Sequence, residues 1–296
     1  MNVKSLVLGV MLVGATGLSS ALAAEPFLLQ AAPDDQSVYA PPAPPRDDTG
    51  VNQGAVTLNF DVRYMTDYIY RGVDHSEVGG HEDAPNAQFD GRIDFDLGRL
   101  PHPFVGVFVN VYNSDPTSRF QEIRPTFGFD WTLRPVTLSV GHVNYIYPER
   151  DEFNTAEGFV RLSLDDSYFF RTEKPFFSPY ILAAYDYDRN NGWYGEAGVT
   201  HEQVFEETGL TLTFSGAVGY INGIQNNFIF TNQQTTGFSH AEVGVVGSYL
   251  LNNLLNIPSR YGEFSIQGFL FYTEGLDSDI NDTSQLWGGA GIGFKY

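Results

Sequence analysis

Charged residues recur at every second position in several short stretches of this chain. Asp90, Arg92, Asp94 and Asp96 form one such row, and Asp61 with Arg63 a second. Glu122 and Arg124, with Asp130 further on, make a third, and Glu157 and Arg161 a fourth. Side chains two apart share one face of a β-strand. The opposite faces are apolar: Phe89, Gly91, Ile93, Phe95 and Leu97 flank the first row, and Val56, Leu58, Phe60, Val62 and Tyr64 the second. An Arg or Lys facing mid-bilayer lipid costs about 2–4 kcal/mol, so such rows belong on the inner side of a closed wall. Their chemistry is electrostatic. A mixed-sign lining sets a field across a lumen, and an acidic excess favours cations. With Asp67 and Arg71, which a continuous strand would point the same way, these residues are the candidate pore lining. Tyr68 and Tyr70 would then lie on the outward face, suited to an interfacial belt.

Other chemistries fare less well. Nucleophilic catalysis needs a serine beside a histidine and an orienting acid. The histidines are His75, His81, His102, His142, His201 and His240. His142 and Ser139 fall on opposite strand faces, as do the adjacent His240 and Ser239. No catalytic residue is expected, and an outer-membrane lipid hydrolase is the weakest reading. Thiol chemistry is absent with the cysteines. Asp277–Asp282 alternates oxygen ligands but lacks the glycine and closing glutamate of a calcium loop, so neither metal nor cofactor is expected. Glu77, Glu82, Asp83, Asp277, Asp279 and Asp282 leave one alternative open, a non-conducting structural or adhesive barrel acting through acidic external loops.

The elements that would carry these rows are strands. Turn signals separate segments 55–71, 86–98, 104–113, 120–133, 136–147, 155–165, 177–188, 193–203, 210–221, 237–251, 263–274 and 284–296. Twelve is an even number, as bacterial outer-membrane barrels require. Loop lengths add support: the second, fourth and eighth connections are short, whereas the first, ninth and eleventh are long and polar. The third and seventh are short and the sixth and tenth long, against that alternation. Pro125 inside the fourth segment predicts a bulge or a later strand start, and phase slips are expected near 104–111 and 141–143. The last segment ends on its aromatic residue. Ile292, Phe294 and Tyr296 form an outward row that would serve as a recognition signal for the barrel-assembly machinery. Gly289, Gly291 and Gly293 point inward, where they would leave unfilled space. The fold class is therefore all-β, an antiparallel up-and-down transmembrane barrel.

Residues 1–24 have the basic start, apolar centre and Ala-Leu-Ala end of a secretory signal peptide. Residues 25–54 are proline-rich and read as a disordered periplasmic segment, and 55–296 as the barrel. The formal net charge of -20 disfavours nucleic acid as a partner. Hydrophobic residues make up 42% of the chain at a mean hydropathy of -0.19, too polar for helical spans but compatible with alternating strands. The location expected is the bacterial outer membrane, and the partners are its lipid, lipopolysaccharide and small solutes.

The segment Thr66-Asp67-Tyr68-Ile69-Tyr70-Arg71-Gly72-Val73 resembles the start of the TorF-like porin family. Residues 141–148 (GHVNYIYP) and 186–196 (DYDRNNGWYGE) are similar to later segments of that family, in the expected order. Thr66 stands where the family usually has serine, and Asp74-His75-Ser76 replaces a serine-glutamine pair. The resemblance implies an outer-membrane barrel and passive diffusion of small solutes.

Overall fold

The computed structural model describes residues 55–76, 85–112, 121–148, 151–172, 174–205, 207–223, 236–278, 280 and 284–296. The proposed signal peptide and proline-rich segment lie outside these residues, as do Glu77, His81, Glu82, Asp83, Asp279 and Asp282. A β-strand buries one face and offers the other elsewhere, and here the alternation closes a wall. Twelve strands pair antiparallel with their sequence neighbours, and the first pairs with the last. They are β1 (Val56–Met65), β4 (Asn86–Phe95), β5 (His102–Tyr112), β6 (Gln121–Leu133), β7 (Val136–Tyr145) and β8 (Thr155–Leu164). The wall continues through β9 (Tyr180–Asp186), β10 (Gly192–Phe205), β11 (Leu210–Asn222), β12 (Thr236–Leu250), β13 (Glu263–Gly275) and β14 (Ser284–Lys295). Between β1 and β4 lies a separate small hairpin, β2 (Ile69–Tyr70) and β3 (Val73–Asp74). No described helix is long and apolar enough to cross a membrane, which leaves crossing by strands untouched.

The seam runs from Asn59↔Lys295 to Met65↔Gly289. Tyr296 finishes it: its N–H donates to the Leu58 carbonyl, and the Leu58 N–H donates back to Tyr296, both at 2.8 Å. Phe60, Tyr64, Phe127, Phe129, Ile181, Leu270, Leu286 and Ile292 stand exposed around the outside. Apart from Asp96, the charged rows turn inward and are buried or half-buried. The rim that carries the seam's end also carries the connections β4–β5, β6–β7, β8–β9, β10–β11 and β12–β13. Two of these contain helical turns, α1 (Ser167–Phe170) and α2 (Asn252–Leu255).

Three local expectations fail. Pro125 neither bulges nor delays β6, because it sits opposite Val107 in an unbroken β5–β6 register. The lost donor shows only on the other side. There β6–β7 pairing begins at Thr126↔Val143, and Ile123↔Ile146 resumes it in the same register. Strands β5 and β7 run without the expected slips. The register shift lies instead at Gly219/Tyr220, where Ser239 has no residue opposite it. Finally, the inward glycines of β14 do not open space. A Cβ on Gly289 would meet Met65, one on Gly291 Arg63, and one on Gly293 Gln267, Ser265 and Asp61. Neighbouring side chains already lie over them.

Candidate functional site

Strand β1 stops at Met65, and the chain then folds into the barrel instead of extending its mouth. Every residue from Asp67 to Ser76 is buried. The hairpin pairs Ile69 with Asp74 and Tyr70 with Val73 around the two-residue turn Arg71-Gly72. Both turn residues have positive φ, 52° and 81°, the combination that primed hairpin turns require. Gly72 is needed twice over, since an added Cβ would lie 2.3 Å from the ring and Cβ of His240 on β12. The hairpin therefore leaves β1 and brings its tip against β12, three strands along the closed wall.

Tyr68 and Tyr70 accordingly point into the barrel, at 1% and 5% exposure, and not to an outer belt. The reason is the turn: once β1 ends, strand parity no longer sets their direction. The Tyr68 hydroxyl donates to Glu122 Oε2 at 2.9 Å and accepts from Arg124 Nη2 at 2.7 Å. Tyr70 and Tyr145 share a hydroxyl contact of 2.6 Å, and Tyr145 donates to Glu157 at 2.9 Å. Arg71 makes a two-pronged contact with Glu157 at 2.8 Å on each arm. Its guanidinium also lies 4.1 Å from the Tyr194 ring centroid. Arg124 sits between the Tyr70 and Phe108 rings, 4.3 and 4.1 Å away, with Glu122 at 3.0 Å. Paired and stacked in this way, the guanidiniums are tolerated away from water. Arg71 and Asp67 do not act together: Asp67 accepts from Gln285 Nε2 at 2.6 Å on the opposite side of the hairpin's root.

His75 packs edge-on to Tyr68 and Tyr70, with ring centroids 4.9 and 5.7 Å away. Burial, reinforced by the Arg124 and Arg71 charges, holds its imidazole well below the ordinary histidine value. The carboxylate facing it is Glu122, 4.0 Å from Nδ1.

The remaining predicted residues fall into two groups. Arg92 bridges Asp94 and Asp130, each at 2.5 Å, and covers the Phe104 ring. Asp61 neighbours Arg63 at 3.6 Å and accepts from Gln267 at 2.9 Å. Asp90 is buried on the same inner face, and Arg161 lies 3.7 Å over the Tyr180 ring. Asp96 is the exception. It lies past the end of β4, where its carboxylate accepts from the Gly98 N–H at 2.6 Å and shapes the turn. Sequence reasoning missed Asp186, Glu196 and Glu242, which also face inward. Glu196 accepts from Tyr180 and Tyr194 at 2.5 Å each, and Glu242 from Thr273 at 2.7 Å. The alternation Tyr194-Gly195-Glu196 carried that signal.

Ser239 and His240 also depart from expectation. The bulge at Ser239 brings both side chains into one contact, Oγ to Nδ1 at 2.9 Å. Ser239 is completely buried, and no described carboxylate hydrogen-bonds to His240. Among the described residues no group of side chains could hold a metal ion.

No protein-family model matches the chain, and no curated protein sequence does either. Solved structures with a similar fold include the NanC porin, at 13% identity and a TM-score of 0.49 over 80% of this chain and 100% of that one. An outer-membrane channel from Pseudomonas putida F1 aligns at 10% identity and a TM-score of 0.49, over 86% and 99% of the two chains. A Rhodopseudomonas blastica porin variant aligns at 8% identity and a TM-score of 0.31, over 81% and 100%.

Proposed function

We propose that this protein is a narrow porin of the bacterial outer membrane, passing small solutes and favouring cations, with the hairpin at 67–76 as its constriction. The observation that carries the reading is the inverted wall. Large apolar side chains face out all round, and ionisable residues face in. A monomer in water rarely exposes an apolar surface of more than a few hundred Å², whereas a lipid-facing barrel requires one. The first of the three segments that resemble the TorF-like porins is the one that forms the hairpin. That placement supports a shared role for it. Export, assembly through the terminal Ile292, Phe294 and Tyr296 row, and contact with lipopolysaccharide belong to the same proposal.

The seated hairpin also favours a second reading, a closed structural barrel. Twelve strands enclose less room than an open porin, and Arg71 and Tyr70 reach across the bore to β8 and β7. Planar bilayers decide between them. The porin reading expects small, discrete, cation-selective steps from the intact protein, and larger steps when residues 68–76 are replaced by a short Gly-Ser link. Silence from both folded proteins would establish the closed barrel instead. The Ser239–His240 contact does not restore a hydrolase, since it lacks an orienting acid.

A further inference from the structure

The β8–β9 connection carries Tyr168, Phe169 and Phe170 on α1, at 71%, 61% and 57% exposure. Three consecutive large rings held out from the fold are unusual for a turn facing water. Their position is fixed by an internal frame. The Asp166 carboxylate accepts the N–H groups of Phe176 and Phe177 at 2.6 and 2.7 Å. The Phe177 carbonyl accepts from Thr200 on β10 at 2.7 Å. Phe176 leans on His201, whose ring lies 5.0 Å away and continues to Phe214 on β11 at 6.3 Å. His201 and Phe214 lie on the outer face of the wall. The connection therefore bends outward over the barrel's external surface and does not close its bore.

We infer that this turn is a membrane anchor, its three rings seated at the headgroup–acyl boundary of the leaflet on the short-turn side. The occupant is lipid because Phe170 leans on Phe176 at 6.3 Å, which continues through His201 to Phe214 on the outward face. That face also exposes Leu162 and Ile181, paired neighbours on β8 and β9. Charge agrees. Exposed Arg171 and Lys174 follow the rings in a chain of net charge -20, placing cations where lipid phosphates lie. Aromatic bodies beside basic residues partition into this zone; here Arg171 and Lys174 stand on the C-terminal side, and Asp165 and Asp166 precede the rings. The anchor would fix the depth of the barrel against its thinner, two-residue turn at Arg134-Pro135.

The inference rests on the membrane reading above, and one experiment separates the two. The chain has no cysteine, so single variants Phe169→Cys, Ile181→Cys and Asp151→Cys can each carry one nitroxide label. The probe is the protein in vesicles of phosphatidylcholine and phosphatidylglycerol, with oxygen and a water-soluble nickel chelate as relaxing agents. A label at 169 should collide with oxygen several-fold more than with nickel, as at 181, with the ratio reversed at 151. Nickel-dominated relaxation at 169, with 181 still in lipid, overturns the anchor alone. Nickel-dominated relaxation at 181 overturns the membrane reading and the anchor with it. Tyr168→Cys repeats the measurement should the Phe169 variant fail to fold.

Discussion

Arg71 and Glu157 form a pair that neither partner can leave without stranding a buried charge. Removing one side of such a pair costs about 3–5 kcal/mol. Arg71→Ala is therefore expected to release the hairpin at the expense of stability. Urea unfolding should show a lower midpoint, and bilayer steps should be larger than those of the intact protein. An unchanged step size in a folded variant would separate the hairpin from conduction. His75 makes the same segment sensitive to acid. Its folded value lies below the unfolded one, so at mildly acidic pH the unfolded chain takes up a proton that the folded chain refuses. The stability it confers is complete above about pH 6.5 and is lost as pH falls below that value. Glu122, Arg124, Arg71, Tyr68 and Tyr70 lie around the ring, and a charged imidazole meets the Arg124 and Arg71 cations. Amide exchange across 68–76 should quicken as pH drops from 7.5 to 5.5, and His75→Phe should flatten the dependence.

The strands themselves were legible because alternation leaves little choice. Phe89 to Phe95 and Leu210 to Tyr220 can be half-exposed only in one phase. Each of the twelve wall strands falls within or across its expected segment, the first ending at Met65 and not at residue 71. The hairpin was not legible because Thr66 to Tyr70 continues the same alternation past the strand's end. Only Gly72, suited to a positive φ, hinted at a reversal; Arg71 takes a positive φ that its side chain rarely adopts. The bulge at Ser239 was invisible for a related reason: one unpaired residue changes parity without changing composition. Connections depend on single polar residues. Asn252 Nδ2 donates to the carbonyls of Ile257 and Gly262 at 3.2 and 2.8 Å, and its Oδ1 accepts from Phe264 at 2.7 Å. Asn252→Ala leaves these groups unsatisfied, at a cost of about 1–3 kcal/mol. The thermal midpoint should fall, whereas Asn256→Ala, at an exposed position, should move it little apart from the strain of its positive φ.

The barrel as a whole is closed by its last residue. Deleting Tyr296 removes both hydrogen bonds to Leu58 and truncates the outward row it shares with Ile292 and Phe294. The fraction of protein that keeps compact, heat-modifiable mobility on electrophoresis should drop. An undiminished fraction would show that the seam from Asn59 to Met65 closes without it. The charged interior was legible as rows, but how completely the bore is filled was not, because that depends on strands far apart in sequence. The hairpin follows the first wall strand, yet Tyr68 meets Glu122, 54 residues later, and Arg71 meets Glu157, 86 residues later. At the hairpin's root, Asp67 meets Gln285 across 218 residues. Contacts of such sequence separation form slowly, because loop closure comes before their reward. The segment made earliest must wait for the rest of the wall, and the sheet has to roll up around it. A chain that sealed its seam too soon would shut its own tongue outside.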